Sequence, residues 1–271
     1  MQLFLDRPGS DSRDSALDAS AWSVLGIAYA HTGETDLSIA ALRRAALLQP
    51  KSEEHWLNLT RELMSVDRFE DAISASKEGI ACEPNSYALH LRLGAANLAA
   101  NHYDQAEATF RELVAAGDPL PTSYVGLAQV LLRTGRIDEA VSELEEARKK
   151  LGPNFLICYF QGLALRRTAT PAKAIPVLQE ALRLNPGSAE ARLELGKAQL
   201  ATGNAKEAVS DFEETLRLSP GNGQAQRLLI QARHRAGDAR KPENIVEEQP
   251  TSQGDLLSDF ILPQWQVPAE R

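Results

Sequence analysis

An all-α fold, a row of helical hairpins stacked side by side, is what this 271-residue sequence predicts, and three observations carry the expectation. Prolines recur at 50, 84, 186 and 220 and glycines at 26, 94, 162 and 196, all at multiples of 34 residues. A fixed period of that size marks a repeat array. Within a period, apolar residues return at three- and four-residue steps, as in Leu127, Val130 and Leu131 and then Ile137, Ala140, Val141 and Leu144, so each repeat holds two amphipathic helices. Hydrophobic residues make up 43% of the chain and aromatics 6%, with Ala and Leu plentiful, which suits helices packed through small side chains.

Counting from Ala19, six repeats run without insertion through 19–52, 53–86, 87–120, 121–154, 155–188 and 189–222. Gly33, Gly135 and Gly203 occupy one place between the two helical runs, where a residue free to take positive φ ends the first helix. A closing Pro stops the second helix. Repeats three and four carry theirs one place late, at Pro119 and Pro153. Small residues at the eighth place (Gly26, Gly94, Ala128, Gly162, Gly196) and at the twentieth (Ser38, Ala72, Ala106, Ala140, Ala174, Ala208) let the paired helices approach closely. Repeat five reads TATPAKAIP where a Gly turn is expected; Pro171 suits a first helical turn, and Pro176 predicts a kink or a late helix start.

The ends differ. Residues 223–237 continue the first-helix pattern with many Arg and Gln, as a capping helix should. Residues 1–18 read as an N-terminal extension in which MQLFLDRPG looks like the tail of a preceding second helix. From 238 to 271 the chain loses its period and reads as a flexible acidic tail. Within it the segment 255–266 regains Leu256, Leu257, Phe260, Ile261, Leu262 and Trp265 beside Asp255 and Asp259, and predicts a docking segment, in cis or on another protein, with a plain disordered terminus as the competing expectation.

The register resembles the tetratricopeptide repeat family, whose pattern is Trp, Leu-Gly, Tyr, and later Ala, an aromatic, Ala and Pro. Repeat one matches with Trp22, Leu25-Gly26, Tyr29, Ala45 and Pro50; repeat two with Trp56, Leu59, Ala72, Gly79 and Pro84. Repeat three offers Leu93-Gly94, Tyr103, Ala106 and Phe110, and repeat six Leu195-Gly196, Ala208, Phe212 and Pro220. The resemblance implies a right-handed superhelix, an α-solenoid of six helix-turn-helix repeats plus the cap.

In that family first helices line a concave groove. Carried onto this sequence, the resemblance implies a partner-binding groove with apolar Leu57, Met64, Leu91, Leu98, Val125, Leu132, Tyr159, Leu163, Leu193 and Leu200, and basic Arg61, Arg133, Arg166, Arg167 and Lys197. An exposed apolar patch of that extent marks a binding site, and the basic residues suit an apolar partner with acidic residues. Burial of some of these side chains between neighbouring repeats is the competing expectation. Members that clamp a terminal carboxylate use a Lys and Asn on one first helix, an Asn on the next, and a Lys and Arg on the third. Ser23, Ile27, Leu91 and Ala95 depart from that set and Asn58 alone agrees, so chaperone-tail capture is not expected.

Little else points to chemistry. His31, His55, His90, His102 and His234 lack metal-ligand spacing, and there is no phosphate-cradling Gly loop or nucleophile elbow. No cofactor is implied. Glu143, Glu145 and Glu146 read as a solvated helix face, and the Asn58-Leu-Thr triplet falls inside a helix. Cys82 and Cys158 lie several helices apart and are expected as buried free thiols. A formal net charge of -8 argues against general nucleic-acid binding. No stretch approaches the roughly 18 apolar residues of a membrane span. The expected location is the cytoplasm, or outside it if Met1 is not the true start and a signal lies upstream. The expected function is a non-catalytic scaffold or adaptor, with its tail as an internal competitor for the groove. The alternatives are a regulatory or targeting arm of an enzyme whose catalytic part lies elsewhere, and a structural spacer.

Overall fold

The computed structural model describes residues 12–117 and 120–237 of the chain. They form thirteen α-helices and one 3-10 turn, with no strand among the described residues. The chain divides into two compact units between residues 118 and 119. The first holds α1 (Ser12–Thr32), α2 (Thr35–Leu48), α3 (Glu53–Ser65), α4 (Phe69–Cys82), α5 (Tyr87–Ala99) and α6 (Tyr103–Ala115). The second holds α7 (Pro121–Arg133), α8 (Ile137–Leu151), α9 (Phe155–Arg166), α10 (Ala174–Leu184), α11 (Ala189–Ala201), α12 (Ala205–Leu218) and α13 (Gly223–Ala236).

Helix pairs fall inside the expected repeats, so each unit is a stack of hairpins and the fold is an all-α solenoid. One boundary moves: α1 begins at Ser12, so residues 12–18 lengthen the first helix instead of standing apart. The remainder of the expected extension, Pro119, and the whole expected tail with its docking residues lie outside the described residues.

Two local rules place most of the hairpins. The last residue of a repeat caps the next first helix: the side chains of Ser86, Asn154, Ser188 and Asn222 accept from the backbone N–H of Leu89, Leu156, Ala191 and Ala225 at 2.9–3.1 Å. The fifteenth place turns the chain with positive φ, through Gly33, Gly135 and Gly203 and also through Asp67 (58°) and Asn101 (62°). Asp and Asn tolerate this left-handed conformation better than other side chains, so the turn survives where glycine is missing. Repeat five lacks it and solves the problem differently. A 3-10 turn at Pro171–Lys173 precedes α10, which starts at Ala174, so Pro176 lies in a first turn whose N–H groups need no intrahelical partner.

Packing within a hairpin depends on the eighth place. A Cβ built on Gly162 would lie 2.4 Å from Leu178 Cγ, and one on Gly196 2.6 Å from Phe212 Cε1. Large side chains of the second helix occupy the volume that the first helix leaves empty. Phe110 and Phe212 are fully buried in such contacts, and Trp56, on a first helix, lies in the same way against Gly79 of the second; Trp56 also donates its indole N–H to Pro50 O at 2.9 Å, tying the hairpin to the preceding turn. At the far end, α13 buries Ala225, Leu229 and Ala232 and exposes Arg227, Gln231, His234 and Arg235, the polar outer face of a terminal helix.

Gly162→Ala is therefore expected to overpack α9 against α10 and cost about 1–3 kcal/mol in urea denaturation. Gly221→Ala, where an added Cβ meets nothing within 4 Å, is the control and is expected to unfold with the wild-type midpoint.

Candidate functional site

Within each unit the first helices touch one another: α1 with α3 and α3 with α5, then α7 with α9, α9 with α11 and α11 with α13. The second helices stand apart. Long side chains bridge them, as between Arg43 and Glu78 (3.6 Å) from α2 to α4, and between Arg148 and Glu180 from α8 to α10. Closer spacing on one side bends each stack, so first helices line its inner wall.

In the first unit that wall is only partly covered, although Leu57 and Met64 also pack against the core. Leu57, Met64 and Leu98 are half-buried and Arg61 is exposed, while Leu91 packs inward at 3% exposure. A polar chain crosses from helix to helix: Asn58 Nδ2 donates to Ser23 Oγ at 3.3 Å, and Arg61 Nη2 donates to Asn58 Oδ1 at 2.7 Å. Asn58 is buried, so the Asn-Leu-Thr triplet offers no accessible amide for glycosylation. Next along the wall sits Arg92 on α5, only 7% exposed and with no carboxylate partner among the described residues. Burial, with the neighbouring Arg61 charge adding to it, pulls its guanidinium down to about 10.

In the second unit the expectation of a water-facing apolar groove does not hold. Val125, Leu132, Tyr159, Leu163, Leu193 and Leu200 are between 2% and 7% exposed. Direct contact between successive first helices turns part of each column toward a neighbouring repeat, and on α9 the rings cover one another, Phe155 on Tyr159 at 6.0 Å and Tyr159 on Phe160 at 5.1 Å. Leu91 in the first unit is corrected in the same way.

The basic residues also divide. Arg166 Nε and Lys197 Nζ both donate to Glu194, at 2.5 and 2.6 Å, so neither offers a spare charge to a ligand. Burial alone would raise the Glu194 carboxyl, but Lys197 and Arg166 outweigh it and hold it below the usual range. Arg133 and Arg167 are half-buried. Sequence reasoning missed Glu194 and Arg92, which share the sixth place of their repeats. The available signal was a charged residue in a column that elsewhere holds Val24, Asn58, Gly126 and Phe160.

Among the described residues no group of three His, Cys, Asp or Glu gathers to hold a metal, and no helix is long and apolar enough to cross a membrane. Both cysteines are free. Cys158 is buried, and burial raises its thiol; Cys82, the last residue of α4, is half-buried where full burial was expected.

The sequence pattern of the tetratricopeptide repeat matches residues 10–53, 57–121, 91–154, 125–189, 159–223 and 193–240. The chain belongs to this family. No curated protein matches the chain in sequence. Among solved structures this tetratricopeptide-repeat chain is similar to one in the APC/C hetero-tetramer Cut9–Hcn1, at 19% identity and a TM-score of 0.65, over 82% of this chain and 45% of that one. It thus spans less than half of that chain's length. It is also similar to PilF of Pseudomonas aeruginosa (17% identity, TM-score 0.62, 82% of this chain and 100% of that one). A third likeness is to YrrB, a tetratricopeptide-repeat protein with an unusual peptide-binding site (17%, 0.51, 69% and 96%). At these identities the likeness is one of fold.

The Glu194 cluster gives a pH signature. Its folded pKa is depressed, so its contribution is present above the unfolded carboxylate value and is lost as pH falls through the folded one. Glu194→Gln is expected to cost about 1–3 kcal/mol at neutral pH, and the gap between variant and wild-type melting curves is expected to close below about pH 4. Asp211, whose carboxyl burial raises, acts in the opposite sense but is common to both proteins and cancels in the difference.

Proposed function

We propose that this tetratricopeptide-repeat chain is a non-catalytic interaction scaffold that holds a segment of a partner protein along the inner wall of its first unit. The observation that carries this reading is the wall itself, where half-buried Leu57, Met64 and Leu98 stand beside exposed Arg61 on helices locked by the hairpin packing. A preorganised surface spares ordering cost on one side of a complex. Apolar anchors supply most of the affinity, whereas exposed ion pairs add about 0–1 kcal/mol each and serve to select acidic partners. The peptide-binding site named for YrrB lends support of the same kind.

The second unit's wall is read as occupied in cis. Ile157 through Leu165 on α9 are buried without interruption, yet α3, which also packs against two first and two second helices, leaves Leu57, Arg61 and Met64 accessible. The composition of segment 255–266 supports a role for it there, since its Leu and Phe side chains suit an apolar wall. Seated there, it would keep partners to the first unit until displaced.

Leu57→Glu combined with Leu98→Glu is expected to lower client affinity at least about tenfold, the equivalent of about 1.4 kcal/mol, with helical content unchanged. Quantitative cross-linking from a native extract, comparing the same clients in both proteins, measures this; undiminished capture contradicts the scaffold reading. In the full chain, Phe260→Asp with Trp265→Asp is expected to speed hydrogen exchange in α9 and α11. Unchanged exchange counts against occupancy in cis.

A further inference from the structure

A cavity of about 310 Å3 opens at the base of repeat three, where Pro84 in the turn from α4 to α5, Tyr87 and His90 on α5, and Glu112 and Leu113 on α6 face one another. Its size lies at the lower end of the range for small-ligand pockets. The same places in other repeats show what such a recess holds. At the fourth place repeat two carries Trp56, whose indole lies over Gly79 and donates its N–H to Pro50 O at 2.9 Å. The terminal helix makes the same bond with Gln226, whose Nε2 donates to Pro220 O at 3.3 Å. Repeat three keeps the acceptor, Pro84 O, but has a histidine in the donor's place. His90 turns back along its own helix, with Nδ1 2.9 Å from Ser86 O. A carbonyl only accepts, so the Nδ1 proton is spent there. Pro84 O accepts no hydrogen bond among the described residues.

The remaining lining suits a flat apolar ring. Leu113 is buried and stands at the place of Gly79, and with Pro84 it supplies aliphatic surface. The Tyr87 ring is exposed, and its hydroxyl donates to Ala116 O at 3.3 Å across the end of α6. Glu112 and the carbonyl end of α6 bring negative charge to the rim, which disfavours an anion.

We propose that this cavity binds an indole ring, which packs on Leu113 and Tyr87 and donates its N–H to Pro84 O, as Trp56 does to Pro50 O within its own repeat. The site shares no residue with the inner wall and does not depend on the scaffold reading. Its indole can come from a small molecule or from a tryptophan side chain, and two probes separate these sources.

Amide chemical shifts of the full chain are followed during titration with indole, with N-acetyltryptophanamide, and with indene, a ring of the same shape that has no N–H. Each titration is run with and without Trp265→Leu, which removes the tail's own indole as a competitor. Saturable shifts centred on Tyr87, His90 and Leu113 are expected with indole, half-complete below about 1 mM. Indene is expected to bind about three- to tenfold more weakly. Tighter binding of N-acetyltryptophanamide than of indole supports a side chain as the occupant, and the reverse supports a small molecule. His90→Trp places this chain's own indole in the cavity and is expected to abolish the response. Tyr87→Ala, at an exposed position, is expected to weaken it at least about fivefold with helical content unchanged. Should the larger ring at position 90 unfold the chain, the Tyr87 variant and the indene comparison still decide. No saturable shift at these residues with or without Trp265, equal binding of indene and indole, or an undiminished response in both variants would each overturn the site.

Discussion

In four of the six hairpins the two helices approach so closely that the first has no room for a side chain at the point of contact. Leu42, Phe110, Leu178 and Phe212 each reach into the space over a glycine on the partner helix, at Gly26, Gly94, Gly162 and Gly196. Once that contact is made, the remaining geometry has little freedom. The turn must reverse the chain in two or three residues, which is why five of six repeats take a positive φ at the fifteenth place, and four of the following first helices begin at a side-chain cap. No hairpin buries its own apolar surface, so each depends on its neighbours for stability.

The same contact shapes the walls. Because first helices touch and second helices do not, the inner side of each stack is crowded and the outer side is bridged by ion pairs. Crowding then has opposite results in the two units. The second gathers aromatic and branched side chains on α7 and α9 and closes over; the first carries Ser23, Asn58, Arg61 and Arg92 among its leucines and stays open. Glu194 pairs with Arg166 and Lys197 in the second wall, whereas buried Arg92 in the first has no carboxylate partner among the described residues.

The period, the hairpins, the capping helix and the late start at α10 were all legible in the sequence, because each is dictated by a residue whose backbone preference is local: Gly, Pro, Ser or Asn at a fixed place. The turn at Asp67 and Asn101 was harder, since a positive φ is optional for those residues and is imposed here by the reversal between helices. Exposure was the least legible. Leu57 and Leu193 hold the same fifth place of their repeats, yet one is half-buried and the other 7% exposed. What separates them is how the neighbouring helices pack around each position, a tertiary property that register alone does not carry. Pairing was similarly hidden: Arg166 and Lys197 read as free cations until Glu194, from the unsuspected sixth place, is seen between them.

The open wall of the first unit is the claim on which the functional reading stands, and solvent footprinting of the full chain addresses it directly. Carbene labelling followed by peptide mapping should mark Leu57, Met64 and Leu98 heavily and Tyr159, Leu163 and Leu200 weakly, and a bound client should suppress the first group alone. Strong labelling of the second group with protection of the first in the isolated chain would contradict it.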